Sequence, residues 1–158
     1  MSYRFAIITA SDTRTRAEDS AGAFLADAVR SHDNWELISH VVVKDERAQI
    51  SEAIVDAADT MQANIVLTCG GTGLSLRDVT PEATADVCNR AVPGIAEAIR
   101  AGSMLHTKRA MLSRAVCMQR NATLVINFPG SERAARECWE VVEDQLDHAM
   151  QMTAGGGH

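Results

Sequence analysis

The sequence predicts an α/β domain of three layers, a mostly parallel sheet covered by helices on both faces, with one antiparallel hairpin at its edge. Two observations predict it. Short β-rich runs alternate with stretches of helical periodicity, the pattern that builds a parallel sheet with crossover helices. Late in the chain two β-rich runs lie too close together for a crossover helix, which makes them an antiparallel pair. The first run is Arg4 to Thr9, followed by a polar loop from Ser11 to Arg16. A helix from about Ser20 to Ser31 follows, since Phe24, Leu25, Ala28 and Val29 share one face. Trp35 to Val43 reads as a strand ending at Lys44-Asp45-Glu46, and Ile50, Ile54, Ala57 and Met61 mark the apolar stripe of a second helix. Ile65 to Thr68 is short, continuous and β-branched, as suits a central strand buried on both faces.

Thr80-Pro81-Glu82 has the chemistry of a helix start, with a hydroxyl N-cap, a proline at the first helical position and an acid in the first turn. That helix runs to about Asn89. After Val92-Pro93-Gly94 another begins, with Ile95, Ile99 and Met104 as its expected buried positions. The hairpin strands flank Arg120-Asn121. A last helix runs from near Ser131 to about Met152, because Ala135, Cys138, Trp139, Val142, Leu146 and Met150 recur on one face. The expected organisation is one domain over 1–152 and a disordered tail over 153–158.

Composition narrows the function. Lys and Arg number 15 against 21 Asp and Glu, a net charge of −6, so no cationic field tracks a nucleic-acid backbone. Three Phe, two Trp and one Tyr are too scattered to stack bases. No apolar run exceeds four residues, against the ~20 needed to span a membrane, so a soluble protein without membrane contact is expected. Cys69, Cys88, Cys117 and Cys138 form no C-x-x-C pair and read as reduced core thiols of a cytoplasmic protein. Cys69, beside a glycine loop, is the one with a reactive alternative. The five histidines show no ligand spacing and read as structural or solvated.

Ligands of an open α/β sheet bind outside the carboxyl ends of its parallel strands. The loops there are Ser11-Asp12-Thr13, Lys44-Asp45-Glu46, Gly70-Gly71-Thr72-Gly73 and Pro129-Gly130-Ser131, and Ser113-Arg114 begins the antiparallel strand at the same edge. Three glycines in four positions allow consecutive backbone N–H groups to form a nest for an oxyanion. Pro129-Gly130-Ser131 offers the amides of a helix N-terminus. Several of these residues also have plain structural readings. Asp45 and Thr80 suit helix caps, Asp78 a surface pair with Arg77, and Arg114 a tie to the hairpin.

Six motifs occur in order: ITASDTRT (8–15), DERAQI (45–50), TCGGTGLSLRDVTPEAT (68–84), PGIAEAIR (93–100), LSRAV (112–116) and NFPGSERAARE (127–137). With these the chain resembles the molybdopterin-binding fold of molybdenum cofactor biosynthesis proteins, the MoaB and Mog type of molybdopterin adenylyltransferase. The resemblance implies adenylyl transfer from ATP to the terminal phosphate of molybdopterin, with Mg²⁺ as cofactor and ATP and molybdopterin as substrates. Asp45 and Asp78 match the two functional acids and are the candidate catalytic and metal-holding residues. Ser11, Asp12, Gly70, Gly71, Thr72, Gly73, Thr80, Ser113, Pro129, Gly130 and Ser131 are the candidate substrate-binding residues. The resemblance further implies a homo-trimer or homo-hexamer and leaves room for contact with the molybdenum-insertion protein. A non-catalytic molybdopterin-binding or scaffold module of the same fold is the alternative.

Overall fold

A computed structural model describes residues 2–156. Alternation along the strands sorts side chains onto two faces of a six-stranded sheet, because successive residues of a strand point to opposite sides. Phe5, Ile7, Ile65, Leu67, Leu124 and Ile126 enter one buried cluster, while Ala6, Ile8, Val66 and Val125 enter the other. The strands are β1 (Tyr3–Ala10), β2 (Trp35–Val43), β3 (Ile65–Cys69), β4 (Arg90–Ala91), β5 (Cys117–Arg120) and β6 (Thr123–Phe128). Their order is β2-β1-β3-β6-β5-β4. Four run parallel, and β5 and β4 run antiparallel to their neighbours.

The helices are α1 (Ser20–Arg30), α2 (Arg47–Val55), α3 (Thr80–Val87), α4 (Pro93–Met104), α5 (Glu132–Val142) and α6 (Leu146–Thr153). Leu25 and Val29 of α1, Trp139 of α5 and Leu146 of α6 complete the first cluster. Ile50 and Ile54 of α2 and Ala83 of α3 complete the second. This is the expected three-layer α/β architecture. All five residues of β3 are buried, as its unbroken apolar run requires.

Four details depart from the sequence reading. The hairpin does not form the edge, since the two-residue β4 pairs with β5 outside it. The last helix is broken by a 3-10 turn at Glu143–Gln145, which lets one apolar stripe continue from α5 into α6. Met104 is 37% exposed, whereas Ala96, Ile99 and Ser103 are buried. The cause is the packing of α4 on α5: a Cβ at Gly102 would meet Val141, and Ser103 Oγ lies 3.4 Å from Cys138 Sγ, so Met104 is turned outward. Finally, α6 extends through Thr153, whose Oγ1 donates to Ala149 O, and the N–H groups of Gly155 and Gly156 bond back to Met152 and Gln151. Residues 157 and 158 of the expected tail lie outside the described residues.

Candidate active site

The loops following β1, β2, β3 and β6 meet at one rim, because the carboxyl ends of these parallel strands are in register, Ala10 beside Val43, Thr9 beside Cys69 and Cys69 beside Phe128. Gly70, at φ 88°, allows the closest approach: a Cβ there would lie 2.6 Å from the carbonyl oxygen of Ala10 and 3.9 Å from Gly130 Cα. Side-chain-free backbone thus brings the β1, β3 and β6 loops together. Arg14 reinforces the seam by donating from its guanidinium to Gly130 O at 2.6 Å.

On one side of the glycine loop the rim is acidic. Asp12 and Asp45 exchange hydrogen bonds, Asp12 N–H donating to Asp45 Oδ2 at 3.0 Å and Asp45 N–H to Asp12 Oδ1 at 3.1 Å. Arg77 donates to both carboxylate oxygens of Asp12, at 2.9 and 3.1 Å, and to Glu46 Oε1 at 3.0 Å. The guanidinium holds the Asp12 carboxyl below the usual carboxylate range. Burial, and then the like charge of Asp12, push the Asp45 carboxyl above it, with Asp78 adding to the repulsion. The structural readings of these acids do not hold. Glu46, not Asp45, occupies the N-cap position of α2, and Arg77 pairs with Asp12 and Glu46 rather than with Asp78. Asp78 Oδ2 instead accepts the N–H of Ser75 at 3.1 Å.

Thr80 does not cap α3 either, because Val79 stands at the N-cap and Thr80 is already helical. Its hydroxyl is fully buried and has no partner, and the same is true of Asp45 Oδ1. Each such atom costs roughly 1–3 kcal/mol unless a partner arrives. The two oxygens face the same spot beside Gly71, where a side chain would collide with Thr80 Oγ1 and touch Asp45 Oδ1. Among the described residues no group of three His, Cys, Asp or Glu side chains could hold an ion unaided. Two carboxylates and a hydroxyl nonetheless fit Mg²⁺, which takes one or two carboxylates and completes its shell with substrate phosphate and water.

On the other side of the glycine loop lies a cavity of about 370 Å³, whose lining includes Thr72, Gly73, Ser113, Pro129 and Ser131. Ser131 caps α5 by accepting Ala134 N–H at 3.2 Å. Ser113 Oγ accepts the N–H of Ala115, and Ser11 Oγ accepts the N–H groups of Thr13 and Arg14, so each shapes its own turn. Arg114 ties down the glycine loop rather than the hairpin, donating to Gly73 O at 2.8 Å, Asp78 O at 2.6 Å and both oxygens of Glu82. Arg77, Glu46, Arg14 and Glu82 were not among the sequence candidates, although Arg77 and Glu46 each adjoin one. Cys69 is wholly buried and its thiol is pushed far up by burial, which closes the reactive alternative.

Fold and rim define an α/β ligand-binding protein whose oxygen-rich cleft stands at the carboxyl ends of its parallel strands. Residues 6–148 match the family described as probable molybdopterin binding domain, and the chain belongs to that family. It is 35% identical to the molybdopterin adenylyltransferase of Helicobacter pylori strain J99, covering 94% of this chain and 86% of that protein. Against the molybdopterin adenylyltransferase of Escherichia coli K12 it is 40% identical over 65% of this chain and 53% of that one. It also resembles the molybdopterin biosynthesis enzyme MoaB of Thermus thermophilus, with a TM-score of 0.87, 38% identity and 97% of both chains covered.

Proposed function

We propose that this chain is a molybdopterin adenylyltransferase acting in molybdenum cofactor biosynthesis. In that reaction a terminal phosphate oxygen of molybdopterin attacks the α-phosphorus of ATP. A new P–O bond forms, the bond from the α-phosphorus to the bridging oxygen of the β-phosphate breaks, and pyrophosphate leaves with the bonding pair. Such transfers depend on positioning and charge neutralisation more than on a covalent nucleophile, which matches a rim without a reactive thiol. Asp45 and Asp78 would hold Mg²⁺, and the ion would supply charge neutralisation at the phosphates. The backbone from Gly71 to Gly73 and the start of α5 offer N–H groups to phosphate oxygens, while the N–H of Gly70 is spent on Phe128 O and Gly70 shapes the turn. The cavity behind Thr72 and Ser131 has the size for one ring system of a substrate.

The observation that carries this reading is the pair of unsatisfied buried oxygens on the acidic side, in a chain whose relatives bear that name. A non-catalytic module of the same fold would bind the cation and phosphates there without releasing pyrophosphate, which the experiment below reads. We assign the reaction to the cytoplasm, where the four free cysteines remain reduced. Exposed Leu105, Met111 and Leu112 provide apolar surface for a homo-trimer or homo-hexamer. The decisive experiment incubates the chain with ATP, Mg²⁺ and molybdopterin and scores adenylylated molybdopterin and pyrophosphate. Both products should appear with wild type and neither with Asp78→Asn of unchanged fold; wild-type turnover by that variant would sink the assignment.

A further inference from the structure

Asp45 Oδ1 and Thr80 Oγ1 are, among the described residues, the two buried side-chain polar atoms left without a hydrogen-bond partner. They belong to different elements, the loop after β2 and the first turn of α3, yet they face one place. A Cβ on Gly71 would lie 3.4 Å from Asp45 Oδ1 and would collide with Thr80 Oγ1. Gly71 stands at φ 71°, so the residue that leaves the space open is also one whose backbone favours glycine. Three groups beside them are committed. Asp45 Oδ2 is taken by the N–H of Asp12, the N–H of Thr80 by Gly71 O, and the carbonyl of Thr80 by the hydroxyl of Thr84. Asp78 belongs to a neighbouring spot: its Oδ2 accepts from Ser75 N–H and would lie 2.9 Å from a Cβ on Gly73, one residue beyond Thr72.

We infer that Thr80 is an inner ligand of the cation site, the divalent ion being seated between Asp45 Oδ1 and Thr80 Oγ1 against Gly71, with Asp78 outside that inner pair. The inference rests on the adenylyl-transfer reading for the need of a cation; it adds Thr80 to the residues that hold the ion and gives Asp78 an outer role, through the water or phosphate around it. A neutral hydroxyl is a proper ligand for a hard cation, as the Ser/Thr of phosphate-binding loops shows. Two protein ligands leave the remaining positions to phosphate oxygens and water. Gly71 is half-buried and the loop over Leu74–Arg77 is exposed, so the seat lies just under the surface. Ligation replaces two unpaired buried oxygens with two bonded ones.

The test titrates Mn²⁺ into the full chain with neither ATP nor molybdopterin present, because free ATP would itself take up the ion, with binding read from the electron paramagnetic signal of the free ion. Thr80→Val, equal in shape but lacking the hydroxyl, should weaken Mn²⁺ binding about tenfold, and Thr80→Ser should stay within about twofold of wild type. Asp45→Asn should lose binding by more than either, and Asp78→Asn should lose less than Thr80→Val. Wild-type affinity in Thr80→Val, with Asp45→Asn impaired, overturns the ligand assignment and leaves adenylyl transfer standing. Failure of the wild-type chain to bind Mn²⁺ overturns the seat, while the assay for adenylylated molybdopterin decides the reaction separately. A second measurement needs no variant: bound Mn²⁺ should broaden the amide resonances of Gly71 and Thr80 before those of Ser75 and Asp78, and the reverse order refutes the seat.

Discussion

Asp19 and Asp45 both withdraw a carboxylate from water, and they do so on opposite terms. Asp19 sits at the N-cap of α1 with a side chain that is 0% exposed, and both of its oxygens are satisfied. Thr9 Oγ1 donates to Oδ2 at 2.5 Å, His40 Nε2 lies 2.8 Å from the same oxygen, and Gly22 N–H donates to Oδ1 at 2.9 Å. Burial would raise its carboxyl, yet the bonds from His40 and Thr9 outweigh burial and hold it below the usual range. Asp45 has one bonded oxygen and one orphan, has Asp12 and Asp78 for neighbours, and is raised. A carboxylate with every oxygen partnered stabilises the chain that supplies the partners. One left short of partners keeps an oxygen free for a ligand, the role proposed above for Asp45.

The largest effect that sharpens this contrast is on turnover. Asp45→Asn should lower the rate of adenylyl transfer on the order of 10³-fold, the scale of removing a group that stabilises developing charge, and should not lower the unfolding midpoint. Equal loss of stability would place Asp45 with Asp19. Next in size, Asp19→Ala should lower the unfolding free energy by about 3 kcal/mol, because it strands Thr9, His40 and the Gly22 N–H in the interior. A loss below about 1 kcal/mol in urea unfolding would show that the network is dispensable.

Acid should separate the two residues by sign. A carboxyl lowered in the folded state contributes stability above its unfolded pKa and loses it as pH falls through the folded one, so the Asp19 contribution fades on acidification below about pH 4. A raised carboxyl does the reverse. Its ionised form weakens the fold at neutral pH, and that penalty vanishes as pH falls through the carboxylate range. Asp45→Asn should therefore be more stable than wild type at pH 7, with the difference closing by about pH 4. Paired urea melts from pH 3 to pH 7 would show it, and a gap that widened on acidification would reverse the assignment.

How much of this was readable in the chain depended on whether the information was local. The bounds of β2, the burial of β3 and the start of α1 follow from periodicity and short-range chemistry, and the convergence of Ser11, Asp45, Gly70 and Gly130 follows from the rule for parallel strands. The break between α5 and α6 was hidden because one apolar face spans it, and β4 because two residues carry no period. The acidic side was legible in its members and illegible in its pairings. Asp78 next to Arg77 suggests an ion pair, but the turn between Ser75 and Asp78 sends the guanidinium across to Asp12 and Glu46, 65 and 31 residues away. The orphan state of Thr80 Oγ1 was likewise invisible, since Thr-Pro-Glu is an ordinary helix start and only the fold shows Val79 in the capping position.

The smallest expected effect concerns the exposed clamp that orders the acidic side. Arg77 joins three loops through Asp12 and Glu46, but its side chain is 54% exposed and theirs are 36% and 49% exposed, so the pairs are screened. Arg77→Gln should leave the urea midpoint nearly unchanged, as exposed ion pairs add little to stability. Its effect should fall on the site, because Asp12 orients Asp45 through the two bonds they exchange, and without the guanidinium the two carboxylates repel unopposed. A rise of several-fold in the KM for ATP at fixed Mg²⁺ is expected, with a smaller change in kcat. Salt supplies the control. Raising ionic strength from about 0.1 to 1 M shortens the screening length from roughly 10 to 3 Å, so it should shift the wild-type KM toward that of Arg77→Gln and move the variant little. The Asp19 and His40 pair, sealed from solvent, should hold the unfolding free energy lost in Asp19→Ala constant across the same salt range. If salt instead changed that loss as much as it changed KM, the distinction between a carboxylate satisfied inside the fold and one left open at its rim would fail.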